Sequence, residues 1–307
     1  MAVLALKLVQ AGAKVYWAQG ATPLSLRPLR LEPDQWSWIQ ESISDASDLW
    51  SERLGSWERV FRLARSGPDP LALTHDFWVD RELCFQALER ECRRQHVEFV
   101  DSLPEGLLQI VDENPESSTS LKGIELVFQG PRPRPAHRLE IKEGVTWIFE
   151  PGGTDLWVLT LIAKDPLRVN SALSALEREP LGRLQAQFLM MGPRPPRARR
   201  FSQALFAARV PPPFCIPSGQ SWGCLNSLDN RVDSRAIHQG DRLIRALRSG
   251  RVSRSRFVQR EALALRAAKP FSWATQMAHH QRVPPELSLW ALGFVVQPLR
   301  RVLESPV

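Results

Sequence analysis

The sequence predicts an α/β fold with an inserted mixed or antiparallel β-sheet layer and a helical C-terminus. Three observations carry this expectation. Residues 3–11 have helical spacing and run into a short strand at 14–18, residues 107–163 are a succession of apolar, β-prone runs, and residues 235–303 return to helical spacing. At 307 residues the chain is long enough to bury a sizeable core, as one large domain or two smaller ones.

In the first helix Leu4, Leu8 and Ala11 share a face, and Gly12 ends it. A parallel sheet feeds such a helix from an earlier strand through a right-handed crossover, and the sequence shows no strand ahead of Val3. Residues 36–65 are rich in Trp, Leu and paired charges, which predicts one or two amphipathic helices packed by Trp36, Trp38, Trp50 and Trp57. Asp80 is the expected N-cap of a helix over 81–95, with a strand at 97–100 after it. Cys84, Leu88 and Cys92 fall on one face of that helix as core residues.

Four runs then read as strands: LLQIVD (107–112), IELVFQ (124–129), VTWIF (145–149) and LWVLTLIA (156–163). The last two are joined by Glu150-Pro151-Gly152-Gly153-Thr154-Asp155, which supplies a hairpin turn. The proline-rich tract 130–135 is expected as a loop or edge. Asp165-Pro166 opens a helix to about residue 178, and 192–200 (GPRPPRARR) is the expected linker. Beyond it come a strand at 204–210 and helices at 235–248, 253–268, 271–281 and 285–303.

No apolar run reaches the roughly 18 residues of a membrane span, and the first 18 residues lack the basic start and cleavage pattern of a leader. A soluble, cytoplasmic protein is expected. Four cysteines without close paired spacing argue against a disulfide framework and against zinc; Cys215 and Cys224 read as a structural thiol pair. The net charge of +7 is uneven: residues 193–307 hold 19 of the 40 basic residues and 6 of the 33 acidic ones. That half could bind an anionic partner, but no nucleic-acid module accompanies the charge, and six lysines among 40 basic residues fit a general arginine bias. Nucleic acid is not expected as a partner, and no oligomeric state is implied.

Gly219-Gln220-Ser221-Trp222-Gly223 fits the G-x-S-x-G spelling of a serine nucleophile elbow. That chemistry needs an acid and a histidine presented from strand ends, whereas His238, His279 and His280 fall in helical sequence. A Ser221 hydrolase is therefore the lesser alternative. His75 and His96, which flank the Asp80 helix, read as structural residues, so no general base stands out.

Several segments also resemble one family, in order along the chain. VLALKLVQAGAKVYWAQ resembles the first crossover helix and second strand of FAD-binding Rossmann proteins, and WVDRELCFQALERECRRQHVEFV their Asp-Arg helix with the strand after it. GVTWIFEPGG is similar to the Trp-containing strand and turn of geranylgeranyl reductases and halogenases. PFCIPSGQSWGCLNSLDN sits where that group has its second cofactor motif, Gly-Asp-Ala-Ala-Gly, and AIHQGDRLIRALRSG matches the long helix that follows. The chain thus resembles the FAD-dependent oxidoreductases of the monooxygenase, reductase and halogenase type.

The resemblance implies a discontinuous, incomplete Rossmann-like FAD-binding domain at 1–106 and 193–260, a β-sheet substrate domain at 107–192 and C-terminal helices at 261–307. It implies FAD contacts from Arg81, Gly219, Gln220, Ser221, Gly223 and Asn226, with Gln220 replacing the family's aspartate. The structural alternative for Arg81 is an ion pair near a helix start. Trp147 and Trp157 either line a cavity for an apolar or aromatic small-molecule substrate or fill the core. The departures are the missing strand and G-x-G-x-x-G loop, and Gln19 where an acidic residue would bind ribose. Either the true start lies upstream, or flavin binding has been lost and the protein is a pseudoenzyme; the Gln220 departure favours loss.

Overall fold

A computed structural model describes residues 1–18, 24–44, 46–49, 51–53, 59–61, 77–111, 120–129, 137–142, 144–153, 156–178, 197–204, 215–218, 221, 232–249 and 254–267. Trp50, Trp57, His75, Cys224, His279, His280 and the helices expected beyond residue 268 lie outside these residues, as do Gly219, Gln220, Gly223 and Asn226.

The largest unit is a six-stranded sheet. Its strands are β12 (Arg197–Ala204), β8 (Ser120–Gln129), β11 (Leu156–Ala163), β10 (Val145–Pro151), β9 (His137–Lys142) and β4 (Arg59–Phe61), in that spatial order. β10 and β11 form the expected antiparallel hairpin, with Trp147 opposite Leu161 and Pro151 opposite Trp157. Alternation puts Trp147, Phe149, Trp157, Leu159 and Leu161 on one face, where α4 (Pro166–Arg178) packs Val169 and Ala172 against them. The other face carries Ile148, Glu150, Val158, Thr160 and Glu125. At the edge of the sheet, Phe201 of β12 lies over Gly123 so closely that a Cβ there would stand 2.3 Å from the ring and 2.8 Å from the Leu161 carbonyl oxygen.

Two strands depart from the expectation. β12 begins inside the segment expected as a linker, because its arginines pair along the edge of β8. β9, which follows the proline tract, was not expected as a strand, since HRLEIK offers little apolar alternation to mark it. The run LLQIVD contributes only β7 (Gln109–Val111), which pairs in parallel with β13 (Cys215–Pro217) rather than joining the large sheet.

The helical part is assembled around α1 (Ala2–Gln10), which runs into β1 (Tyr16–Ala18) through Gly12 at φ +85°. β1 pairs in parallel with β6 (Glu98–Val100), and Trp17 stacks on Phe99 with centroids 5.1 Å apart. Between these strands lies α3 (Arg81–Arg94), capped as expected by Asp80, whose carboxylate accepts the Leu83 N–H at 2.9 Å. His96 ends this segment at φ 64°, a left-handed conformation that returns the chain toward β6. Cys84 and Cys92 are fully buried, as expected, and burial pushes their thiols up to about 12 and about 11.

Among the described residues, only the first part of the tryptophan-rich segment is α-helical. α2 (Pro33–Ser42) buries Trp36, and a 3₁₀ turn at Ala46–Asp48 leads to β3 (Ser51–Arg53). β3 pairs with β5 (Phe77–Val79), which also pairs with β2 (Leu29–Leu31). β5 joins the two cores by strand alternation: Trp78 belongs to the sheet cluster, whereas Phe77 and Val79 belong to the helical cluster. Two C-terminal helices, α5 (Val232–Ser249) and α6 (Arg254–Ala267), complete the described chain. Among the described residues no helix is long and apolar enough to cross a membrane.

Candidate functional site

β7 and β13 are parallel, so their C-terminal ends lie together. The Val111 carbonyl accepts two hydrogen bonds, from the Ser218 N–H at 2.8 Å and from the Ser221 hydroxyl at 2.6 Å. The Ser221 N–H in turn donates to the Ser218 carbonyl at 2.9 Å. The Ser218 hydroxyl is buried and has no hydrogen-bond partner among the described residues. The Ser221 proton goes to a main-chain carbonyl, and His238 lies 3.3 Å from Glu32, at the start of α2. Neither arrangement presents a serine nucleophile to a base.

The end of β13 is fastened to the N-terminal helix through α5. Gln239 donates to the Pro217 carbonyl at 2.9 Å, and the adjacent Gly240 lets α5 approach α1 until a Cβ would stand 2.8 Å from Leu4 Cδ1. The next residue, Asp241, pairs with Lys7 of α1. The end of β13, α5 and α1 are thus in direct succession.

Arg81 stands at the other end of the same connection. Its guanidinium donates to both carboxylate oxygens of Asp233, at 3.0 and 2.7 Å, and its Nε donates to the Arg27 carbonyl at 2.8 Å. Asp233 lies in the first turn of α5, so the pair ties the first turns of α3 and α5 together. Burial opposes charge on both partners, but their mutual attraction outweighs it, holding Arg81 above and Asp233 below their ordinary pKa ranges. The structure thus gives Arg81 the ion pair near a helix start that the sequence left open.

A second set of buried charges joins this region to the sheet. Arg27 makes a bidentate pair with Glu150 of β10, at 2.6 and 2.7 Å. Glu125 of β8 accepts from the Ser25 hydroxyl at 2.6 Å, the Leu26 N–H at 2.7 Å and Arg199 at 3.1 Å. Both carboxylates project from the face opposite α4. Trp147 and Trp157 lie instead beneath α4, 8% and 2% exposed, and Trp147 Nε1 has no hydrogen-bond partner among the described residues. No group of metal-binding side chains occurs among the described residues.

Sequence reasoning passed over Arg27, Glu125, Glu150, Ser218, Asp233 and Gln239. Two of them carry a visible signal: Glu125 and Glu150 interrupt apolar strand runs at positions that alternate onto a buried face. The others are polar residues in polar surroundings, and their partners are more than 20 residues away in sequence.

No protein-family model and no curated protein matches the chain by sequence. Solved structures do match over nearly its whole length. The flavin-dependent brominase Bmp2 superposes with a TM-score of 0.67 at 12% identity, covering 99% of this chain and 95% of the brominase. PqsL, a probable FAD-dependent monooxygenase from Pseudomonas aeruginosa, gives a TM-score of 0.63 at 13% identity, with 95% and 96% coverage. A geranylgeranyl bacteriochlorophyll reductase-like protein from Thermoplasma acidophilum gives 0.60 at 9% identity, with 100% and 89% coverage. These are the protein types that the motifs resembled, and the chain has their α/β fold.

Proposed function

We propose that this chain is an FAD-dependent oxidoreductase-type protein, of the monooxygenase, reductase or halogenase kind, whose cofactor lies at the turn following β13. The observation that carries the proposal is the linkage of that turn to α1 through α5, by Gln239 on Pro217 and by the Gly240–Leu4 approach. Ligands of open α/β sheets bind beyond the carboxyl ends of parallel strands, which is where this turn lies. The buried, unpartnered Ser218 hydroxyl at the same strand end fits a polar ligand with oxygen acceptors.

In this reading Gly219 and Gly223 admit close backbone approach by the dinucleotide, Gln220 offers an amide in place of a carboxylate, and Ser221 and Asn226 complete the polar lining. Bound FAD supplies the redox chemistry. The six-stranded sheet forms the substrate layer for an apolar or aromatic small molecule, with Trp147 and Trp157 building its apolar body. The test is reconstitution of the purified full chain with FAD, followed by desalting and absorbance. Near-stoichiometric bound flavin is expected; a colourless protein that takes up no FAD would end the reading and leave a pseudoenzyme.

One observation favours a second reading, a binding surface without catalysis. All three acids of α5 and α6 are engaged internally: Asp233 with Arg81, Asp241 with Lys7 and Glu261 with Arg242. Arg245, Arg248 and Arg260 remain outward-facing, without an acidic partner among the described residues. They would attract an anionic partner in a salt-dependent way.

A further inference from the structure

We infer that Arg81 serves cofactor binding as a positioning residue: its bidentate pair with Asp233 fixes the first turn of α5 and, through Gln239, the strand end at Pro217 and Ser218. This deepens the flavin reading and rests on it for the cofactor's identity. Three of the guanidinium N–H groups are committed, one to the Arg27 carbonyl and two to Asp233, and the Arg81 side chain is 16% exposed. A planar fork held on both sides in this way is a fixed structural member, and its reach toward a ligand is limited.

The elements it joins are those that surround the turn. Arg81 opens α3, which packs on α1 and leads into β6, the partner strand of β1, while Asp233 opens α5, which contacts both α1 and β13. α5 is thus anchored at its start by Arg81, six residues later by the Gln239–Pro217 bond, and then by Lys7 on Asp241. Loss of the first anchor frees the helix start to shift relative to Pro217, because small displacements of a packed helix move everything bonded to it.

The experiment compares wild type, R81K, R81M, D233N and the R81M/D233N double variant in two measurements. The first is FAD affinity by flavin fluorescence. The second is hydrogen exchange of the α5 first turn and of Ser218 in the FAD-free protein. R81M and D233N are each expected to weaken FAD binding by about tenfold, the equivalent of one charge-assisted contact. The double variant should be no weaker than the weaker single variant, R81K should recover part of the loss, and exchange at both places should quicken in D233N. Unchanged affinity in D233N, or an R81M penalty that is the same with and without Asp233, would overturn the inference in favour of direct contact. If wild type binds no FAD the flavin reading fails, and the exchange measurement still decides the inference: unchanged exchange in D233N refutes it. R81K and D233N keep the test open should R81M fail to fold.

Discussion

Arg27 shows how a single residue ties the two layers together. Its guanidinium is 13% exposed and the Glu150 carboxylate 3%, so each charge depends on the other for what water would otherwise provide. Burial lowers the Arg27 pKa, but Glu150 more than offsets it. Arg27→Met strands the Glu150 carboxylate on the sheet face and is expected to destabilise the fold by about 3–5 kcal/mol in denaturant unfolding. Replacing both partners by apolar residues of similar volume should cost much less, because no charge is then left buried alone. A double variant as unstable as Arg27→Met would show that the pair is not the cause. Nothing local in the sequence announces this contact, since 123 positions separate the partners.

At the scale of elements, legibility followed local signals. α3 was readable to within a residue because Asp80 caps it and Cys84, Leu88 and Cys92 mark its buried stripe. The β10–β11 hairpin was readable because its turn residues and apolar runs agree. By contrast, the edge strand β12 is polar and arginine-rich and pairs with β8, some 77 residues earlier, while β9 (HRLEIK) shows little apolar alternation although it pairs with the next strand, β10. β7 was readable as a strand, but its partner β13 lies more than 100 residues later and no local rule supplies it. Gly123 is a further tertiary constraint, visible only once Phe201 lies across it. Gly123→Ala is expected to lower stability by about 1–3 kcal/mol in thermal or denaturant melts, because the Leu161 carbonyl leaves no room even if the ring moves. An unchanged midpoint would mean that β12 does not sit where it is described.

For the whole molecule, the order of motifs was more informative than any one of them. Each segment resembling a flavoprotein is short, yet the chain as a whole superposes on solved flavoprotein structures over 95–99% of its length, at 12–13% identity. Of the candidate site, Arg81 and its ion pair near a helix start were legible and the Gly219 segment lies outside the described residues, whereas the contacts of Asp233 and Gln239 depend on α5 folding back onto α3 and β13. That return of α5 is the central claim, for it joins the end of β13 to the N-terminal helix, where the proposed function puts the cofactor. The most direct test is hydrogen exchange of the full chain with and without FAD. Slower exchange over residues 215–226 and in the first turns of α5 and α3 is the predicted result. FAD-dependent protection confined to other parts of the chain, or none at all, would contradict it.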